Sequence, residues 1–232
     1  HRSLREMRIA SPMADAALLR VMREVRARNR VSDGYVYVQV TRGAARRDHV
    51  FPDPPVRPGV VVTARALSSA KREATAAKGV AVITLPDLRW KRVDIKTTGL
   101  TANVMARQAA REAGAAEAWF VDADGFVTEG AAANAWIVTA DHALVTRKAD
   151  GSILRGVTRQ TLIDLLTARG LRLEERPFTM AEALAAREAF ITGATTLVMP
   201  VVRIDGAAVG DGRPGPLALD LRARFHDAAA RM

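Results

Sequence analysis

One lysine in this sequence has a setting that suits covalent chemistry. Lys96 is one of five lysines among 35 basic residues, and it stands in the segment RVDIKTTGL. The pattern places Lys96 after a strand and before a helix, among Ile95, Thr97 and Thr98. Partial burial there would lower the pKa of the amine and favour a nucleophile. An exposed lysine without a chemical role is the alternative.

A single carboxylate is the second candidate. Glu129 stands in the segment FVTEGAAANAWIV. The aromatic and β-branched residues on both sides predict two short strands joined by a loop, with Glu129 at the bend. A solvated turn is the alternative.

Two other segments have the composition of anion-binding turns. RGVTRQTLIDLL places Gly156, Val157 and Thr158 at a helix start, where free N–H groups and the helix dipole favour an anion. Thr158 can add its hydroxyl or can serve only as the N-cap of the helix. ITGATT supplies a second loop, which by itself indicates only a turn. Arg47 and His49, in the loop AARRDH, are exposed polar residues unless a ligand binds there.

Helix and strand patterns alternate along the chain. Ser11 as N-cap and Pro12 at the first helical position predict an amphipathic helix that continues through Val25. SSAKREATAAKG, which is small and polar, is predicted to be a linker, and we expect two domains, residues 1–68 and 69–232. The class is therefore α+β. The main predicted strands are GYVYVQVTRG, GVVVTARAL, GVAVITL, LRWKRVDI, EAWFVD, HALVTR and EAFITG.

Composition narrows the range of functions. With 232 residues, 49% of them hydrophobic, the chain can bury one large core or two smaller ones. No segment approaches the roughly 18 apolar residues of a membrane span, so we expect a soluble protein without a membrane partner. Zero cysteines exclude a cysteine-ligated metal and favour a cytoplasmic location. No metal site is predicted.

The net charge of +10 raises the possibility of a nucleic-acid partner. The arginines are interleaved with acids, as in RVMREVRARNR and LTARGLRLEER, and form no single basic stripe studded with aromatic residues. A basic nucleic-acid-binding protein remains the non-enzyme alternative.

Five segments together carry a family resemblance that covers nearly the whole chain. In order and spacing they resemble the class IV (fold type IV) pyridoxal-phosphate aminotransferases, and within them the D-amino acid aminotransferases. The implied fold has a small α/β domain and a larger pseudo-barrel domain that binds the cofactor. The segments are YVYVQVTRGAARRDHVFP, RWKRVDIKTTGLTANVMARQAAREAG, FVTEGAAANAWIV, ILRGVTRQTLIDL and AFITGATTLVMPVVRIDG.

The resemblance implies a role for each candidate residue. Lys96 is similar to the lysine that forms a Schiff base with pyridoxal 5'-phosphate. Glu129 is similar to the carboxylate that faces the pyridine nitrogen and keeps it protonated, so that the ring accepts electrons. Leu154 resembles the residue that packs against the ring, although it could equally be core. The implied phosphate contacts are Gly156, Val157, Thr158, Gly193, Ala194 and Thr195.

The reaction implied by the resemblance is the transamination of D-amino acids with a 2-oxo acid acceptor such as 2-oxoglutarate or pyruvate. Arg47 and His49 match an R-x-H pair that binds the substrate carboxylate, and arginine suits this task because its planar fork donates two hydrogen bonds. In the family this loop reaches the active site of the neighbouring subunit, which implies a homodimer. Branched-chain or R-selective amine aminotransferase and aminodeoxychorismate lyase, of the same fold, are the alternatives.

The sequence also departs from the family pattern. Relatives carry a phosphate-binding arginine and an active-site tyrosine upstream of the position where His1 stands, and neither can be assigned here. Ala194 stands where the family often has threonine, so only its backbone N–H remains, with Thr195 as a candidate replacement. Three alanines at positions 131–133 replace hydroxyl-bearing residues of the relatives, which affects fine specificity.

Overall fold

The computed structural model describes residues 1–230, and the chain divides into two compact units. The first unit is His1–Lys71 and the second is Arg72–Met232. No helix among the described residues is long and apolar enough to cross a membrane.

The first unit combines two helices with a β-hairpin. Its helices are α1 (Arg2–Glu6) and α2 (Asp15–Arg28), and its strands are β1 (Gly34–Thr41) and β2 (Gly59–Ala66). The two strands pair antiparallel from Gly34 opposite Ala66 to Thr41 opposite Gly59. Residues 42–58 form the long irregular connection between them.

Helix α2 begins later than the sequence indicates. Its N-cap is Ala14, and no side chain caps it. The Ser11 hydroxyl instead donates to the Met13 carbonyl at 2.9 Å. The prediction that Ser11 caps this helix was therefore wrong, because Ser11 closes a local turn before the helix starts.

The second unit contains a nine-stranded mixed sheet. Eight strands follow the order β5-β4-β3-β10-β9-β6-β7-β8, and β11 pairs with β10. The pairs β10–β3, β3–β4 and β7–β8 are parallel, and the others are antiparallel. The strands are β3 (Val80–Pro86), β4 (Glu117–Val121), β5 (Val127–Gly130), β6 (Asn134–Val138), β7 (Leu144–Thr146), β8 (Leu173–Glu175), β9 (Glu188–Gly193), β10 (Leu197–Ile204) and β11 (Ala207–Ala208).

This sheet curls towards closure. Val127, at the start of β5, donates its N–H to the carbonyl of Phe178 at 2.9 Å, and Phe126 forms an antiparallel bridge with Thr179. Phe178 follows β8, so the two ends of the strand order are joined by these contacts. Trp119 and Phe178 pack edge to face inside the curl, with ring centroids 6.2 Å apart. The curled sheet confirms the predicted pseudo-barrel.

Five helices accompany the sheet. Helix α6 begins with the predicted capping box, because the Thr179 hydroxyl accepts from the Glu182 N–H and the Glu182 carboxylate accepts from the Thr179 N–H. The predicted final helix also begins at Pro216, as expected. The helices are α3 (Ser69–Ala76), α4 (Thr101–Glu112), α5 (Val157–Ala168), α6 (Met180–Ala185) and α7 (Pro216–Ala230).

Two predicted elements have a different structure from the one expected. The segment predicted as a linker contains the division between the two units, but it is helical and forms α3: the Ser68 hydroxyl accepts from the Lys71 N–H at 3.2 Å, and Ala76 is fully buried. The segment LRWKRVDI is not a strand, since β3 ends at Pro86 and residues 87–100 are irregular. Both edges of β3 are already paired, with β4 and β10, and Ile95 donates its N–H to Arg92 in a turn at 3.1 Å.

Two glycines of the second unit have the same backbone conformation but different surroundings. Gly79 and Gly114 have nearly the same φ, +72° and +71°, in the region that favours glycine. A Cβ built on Gly79 would lie 2.3 Å from Val202 Cγ1, whereas one on Gly114 would meet nothing within 4 Å.

We expect Gly114→Ala to lower the free energy of unfolding by about 1 kcal/mol, the cost of a left-handed alanine. Gly79→Ala should cost about 1–3 kcal/mol more, because it also overpacks the site beside Val202. Urea unfolding of both variants measures the difference. Equal losses would show that Val202 moves aside without cost.

Candidate active site

The Glu129 carboxylate lies at the centre of a buried hydrogen-bond network. Glu129 is the third residue of β5 and is 5% exposed. Its Oε1 accepts from Arg89 Nη1 at 2.5 Å, and its Oε2 accepts from Asn134 Nδ2 at 2.8 Å. The Leu154 N–H points at both oxygens, at 3.1 Å each. The turn that follows is tight, since Gly130 donates its N–H to the Ala133 carbonyl.

Arg89 connects Glu129 to a second carboxylate. Its side chain is 5% exposed and lies in the irregular segment 87–100. Arg89 Nε and Nη2 donate to the two oxygens of Asp87 at 2.9 and 2.7 Å, and Thr128 Oγ1 donates to Asp87 as well. The guanidinium carbon lies 4.6 Å from the centre of the Phe120 ring. One buried guanidinium therefore pairs with two carboxylates, the buried Glu129 and the partly buried Asp87.

The pKa values of the two carboxyl groups are shifted in opposite directions. Burial raises the pKa of Glu129 to about 7, although Arg89 and the Leu154 N–H act against this shift. Burial also acts to raise the pKa of Asp87, but the hydrogen bonds and charge of Arg89 outweigh it and hold this pKa below the usual range. Glu129 is the more deeply buried of the two, so desolvation dominates there.

Asn134 links the carboxylate to the start of helix α5. Its Nδ2 also donates to the Leu154 carbonyl at 2.9 Å. A Cβ built on Gly156 would lie 2.3 Å from Asn134 Oδ1, so only glycine fits at the N-cap of α5. Thr158 is buried at the second position of α5 and makes no side-chain cap, so the interpretation of Thr158 as the N-cap was wrong. Val157 is 82% exposed.

The loop containing Gly193 lies on the other side of the same strand. β6 pairs with β9 so that Asn134 is opposite Thr192. A Cβ built on Gly193 would lie 2.9 Å from Thr196 Oγ1 and 3.3 Å from the Ala132 carbonyl oxygen. Ala194 and Thr195 are exposed in the turn between β9 and β10. The structure thus brings the turn 130–133, the segment 154–158 and the turn 193–196 together around Asn134.

The structure places Lys96 differently from the sequence expectation. Its side chain is exposed, and it lies in the irregular segment 87–100 just before α4, not at the end of a strand. The expected partial burial was therefore wrong. Its neighbours Asp94 and Ile95 are buried and anchor the segment on which Lys96 stands.

Arg47 and His49 belong to the first unit. Both are exposed in the connection 42–58, and the backbone N–H of His49 donates to the Asp48 carboxylate at 2.6 Å. Nearby, Arg42 lies over the Phe51 ring at 3.7 Å and donates to the Arg8 carbonyl at 2.9 Å, so the start of this connection is fixed.

Comparison with known proteins identifies the family of this chain. The family model "Amino-transferase class IV" matches residues 1–204, and the chain belongs to this family. Two D-alanine aminotransferases are similar to it in sequence. The Bacillus licheniformis enzyme is 38% identical, over 96% of this chain and 77% of its own length. The enzyme of Listeria monocytogenes serotype 1/2a is 35% identical, over 95% of this chain and 75% of its own length.

Solved structures agree on the fold. The branched-chain amino acid aminotransferase of Escherichia coli superposes with a TM-score of 0.87 at 21% identity, covering 98% of this chain and 76% of its own. A T.th. branched-chain amino acid aminotransferase with pyridoxamine 5'-phosphate superposes with a TM-score of 0.86 at 28% identity, covering 98% and 75%. The protein therefore has the predicted fold type IV and is a pyridoxal-phosphate-dependent transaminase.

The described residues fit this cofactor by their own chemistry. A ring N–H needs a buried acceptor, and Glu129 is a carboxylate held in one orientation by four donor contacts. A phosphate needs N–H donors at close range, and the first turn of α5 leaves such groups free. Gly156 and Gly193 are positions where a side chain would crowd its neighbours.

The sequence analysis missed three residues of this cluster. Asn134 stood in the segment quoted for Glu129, but its link to Leu154 joins positions twenty residues apart. Thr195 was predicted to contact the phosphate and Thr196 was not, although Thr196 Oγ1 is buried and has no hydrogen-bond partner within residues 1–230. The sequence contained one indication of the role of Arg89: Asp87 stands two residues before it, at the end of a predicted strand, where the two side chains can pair.

We expect Arg89→Met to lower the free energy of unfolding by about 3–5 kcal/mol, because it leaves Glu129 and Asp87 buried without their cation. Arg89→Lys should lose less stability, since lysine retains the positive charge but cannot donate to both carboxylates in the planar geometry of a guanidinium. The control is Arg172→Met. Arg172 also joins two carboxylates, Asp141 and Glu174, but its side chain is 60% exposed, so its loss should change stability by less than about 1 kcal/mol. Urea unfolding measures all three variants, and an Arg89→Met as stable as Arg172→Met would contradict the buried network.

Proposed function

We propose that the chain is a D-amino acid aminotransferase that holds pyridoxal phosphate through Lys96 and transfers the amino group to a 2-oxo acid such as 2-oxoglutarate or pyruvate. The observation that carries the proposal is the buried Glu129 carboxylate, hydrogen-bonded between two glycine turns. The 38% identity to a D-alanine aminotransferase supports the substrate class.

Lys96 supplies the reactive amine. When bound, pyridoxal phosphate supplies a carbonyl carbon for a covalent link and a ring that takes up the electron pair left when the α-proton of the substrate departs. Lys96 Nζ would hold the cofactor and, as a free amine, would take the α-proton of the substrate and return a proton to complete the transfer. Lys96 is exposed in this structure.

Glu129 and Arg89 act on the ring nitrogen. In this proposal Glu129 accepts a hydrogen bond from the ring N–H and keeps it protonated. Arg89 and Asn134 hold the carboxylate in one orientation, so no reorganisation is needed when charge develops. The Leu154 N–H fixes the same carboxylate, and its side chain is the one we assign to packing against the ring.

The two turns bind the phosphate in this proposal. Val157 and Thr158 offer backbone N–H groups at the start of α5, and Thr158 adds a hydroxyl. The Gly156 N–H already donates to the Leu154 carbonyl at 2.8 Å, so Gly156 contributes the space that its missing side chain leaves. Gly193, Ala194 and Thr195 offer backbone N–H groups, and Thr195 a hydroxyl, from the second turn. Both turns meet Asn134 or its neighbours, which keeps them next to Glu129.

Arg47 and His49 bind the substrate carboxylate in this proposal. Both are exposed, and the guanidinium of Arg47 is suited to a two-bond grip on a carboxylate. We include in the proposal a homodimer in which these residues serve the neighbouring active site. The domain boundary between residues 68 and 69 and a cytoplasmic location, which zero cysteines favour, belong to the proposal as well.

Branched-chain aminotransferase is the second candidate. Structures of that class share the fold, with identities of 21% and 28%. The D-alanine aminotransferases are more similar in sequence, at 35% and 38%. The difference favours the D-amino acid assignment over this candidate.

We expect the protein with pyridoxal phosphate and 2-oxoglutarate to form pyruvate from D-alanine and no measurable pyruvate from L-alanine. Lys96→Ala should reduce the rate with D-alanine by at least roughly a hundredfold, because the group that moves the α-proton is gone. Lys91→Ala is the control, since Lys91 is an exposed lysine of the same irregular segment. Pyruvate from L-alanine alone would move the assignment to the branched-chain class, and equal rates for the two lysine variants would refute the role of Lys96.

We expect Arg47→Ala to raise the KM for D-alanine by roughly 10- to 100-fold, the loss of a charge-assisted hydrogen bond. The KM for an amine that lacks a carboxylate should not change. Arg46→Ala, next to it in the same exposed loop, serves as the control and should leave both values unchanged. Equal changes for the amino acid and the amine would contradict the assignment of Arg47.

A further inference from the structure

A buried arginine on helix α7 holds the end of the turn 193–196. Arg222 is 3% exposed. Its Nη1 donates to the Thr196 carbonyl at 2.8 Å and to the Val198 carbonyl at 2.7 Å. These two carbonyls lie on either side of Leu197, the first residue of β10. A guanidinium can make both contacts at once because its N–H groups form a rigid planar fork.

Leu197 has a backbone that other residues must stabilise. Its φ is +57°, in the left-handed region that a branched side chain rarely adopts. Arg222 fixes the carbonyls before and after this residue, so it holds the conformation that closes the hairpin. Through Leu197 the same two bonds set the path of the turn back to Gly193, which pairs with Leu197.

Glu73 on helix α3 holds Arg222 in place. Its two oxygens accept from Arg222 Nε and Nη2 at 2.8 and 2.7 Å, a bidentate pair. His226 Nε2 lies 3.1 Å from the same carboxylate. The hydrogen bond from Arg222 lowers the pKa of Glu73 to about 2, so Glu73 is ionised at neutral pH. The arginine is therefore fixed on one side by a carboxylate and on the other by the turn.

The turn that Arg222 holds has an unused donor. Thr196 Oγ1 is buried without a hydrogen-bond partner among the described residues, and it lies 2.9 Å from the position of a Cβ on Gly193. A buried hydroxyl without a partner is costly, and an anion bound at the turn would satisfy it.

We propose that Arg222, held by Glu73, is a positioning residue that shapes the turn 193–196 for the phosphate group of the cofactor. This inference rests on the proposed function, which assigns that turn to phosphate. Arg222 does not touch the phosphate in this proposal; it acts through the backbone of Thr196 and Leu197. Its effect is therefore specific to the phosphate and independent of the covalent link at Lys96.

The test compares the binding of pyridoxal phosphate with that of pyridoxal, the same molecule without its phosphate. The dissociation constants of both are measured by equilibrium dialysis for the wild type, Arg222→Met and Glu73→Gln. The Kd of pyridoxal divided by the Kd of pyridoxal phosphate reports the contribution of the phosphate. We expect both variants to lower this ratio, Arg222→Met by about tenfold or more, which corresponds to about 1.4 kcal/mol.

Arg224→Met is the matched control. Arg224 stands on the same helix and pairs with the exposed Asp220, so its loss should leave the ratio at the wild-type value. Glu73→Gln keeps the test decisive if Arg222→Met does not fold, because Glu73 is about half exposed and its glutamine variant retains the side-chain volume.

The outcomes separate the two proposals. A wild type that binds neither molecule would overturn the proposed function. A wild type that prefers pyridoxal phosphate, together with variants that keep the same ratio, would overturn the role of Arg222 alone. Variants that weaken both molecules by the same factor would also overturn it, since they would show a general structural effect.

Discussion

The burial of one carboxylate constrains the structure around the candidate site. Moving a carboxylate out of water costs several kcal/mol unless its charge and its lone pairs find partners. The partners of Glu129 come from three separate segments: Arg89 from the irregular segment 87–100, Asn134 from β6 and the Leu154 N–H from the approach to α5. The fold of the second unit must hold all three near β5, because the loss of any one leaves an unsatisfied buried charge.

Asn134 explains why the two glycine turns accompany this carboxylate. Its amide nitrogen contacts Glu129 and the Leu154 carbonyl, and its amide oxygen lies where a Cβ on Gly156 would be. The pairing of β6 with β9 places it opposite Thr192, one residue before Gly193. Asn134 therefore connects a buried anion with both glycine turns. The spacing between these groups follows from the register of β6 with β9, from the fixed Asn134 side chain and from the small residues Gly156 and Gly193.

The sequence was sufficient for features that depend on local patterns and insufficient for those that depend on tertiary pairing. The capping box at Thr179, the helix after Pro216 and the strands around Glu129 were predicted because their signals lie within a few residues. The segment LRWKRVDI has strand-forming residues, but β4 and β10 occupy both edges of β3, so the segment cannot pair with the strand that precedes it. The role of Arg89 depends on Glu129, forty residues later, and the exposure of Lys96 follows from the irregular path of the same segment.

The charge balance of Arg89, Asp87 and Glu129 determines which charge a ligand group next to Glu129 should carry. Arg89 carries one positive charge, while Asp87 and Glu129 can carry one negative charge each. Asp87 holds its charge because Arg89 lowers its pKa, so it is Glu129, with its pKa raised to about 7, that is incompletely compensated. A neutral ligand would leave this imbalance in place. A cationic N–H group next to Glu129 would remove it, because the added charge favours the ionised carboxylate and balances the single net negative charge of the three side chains. In the proposed function this imbalance favours a protonated ring nitrogen over an uncharged ring, and the protonated ring is the form that accepts electrons from the substrate.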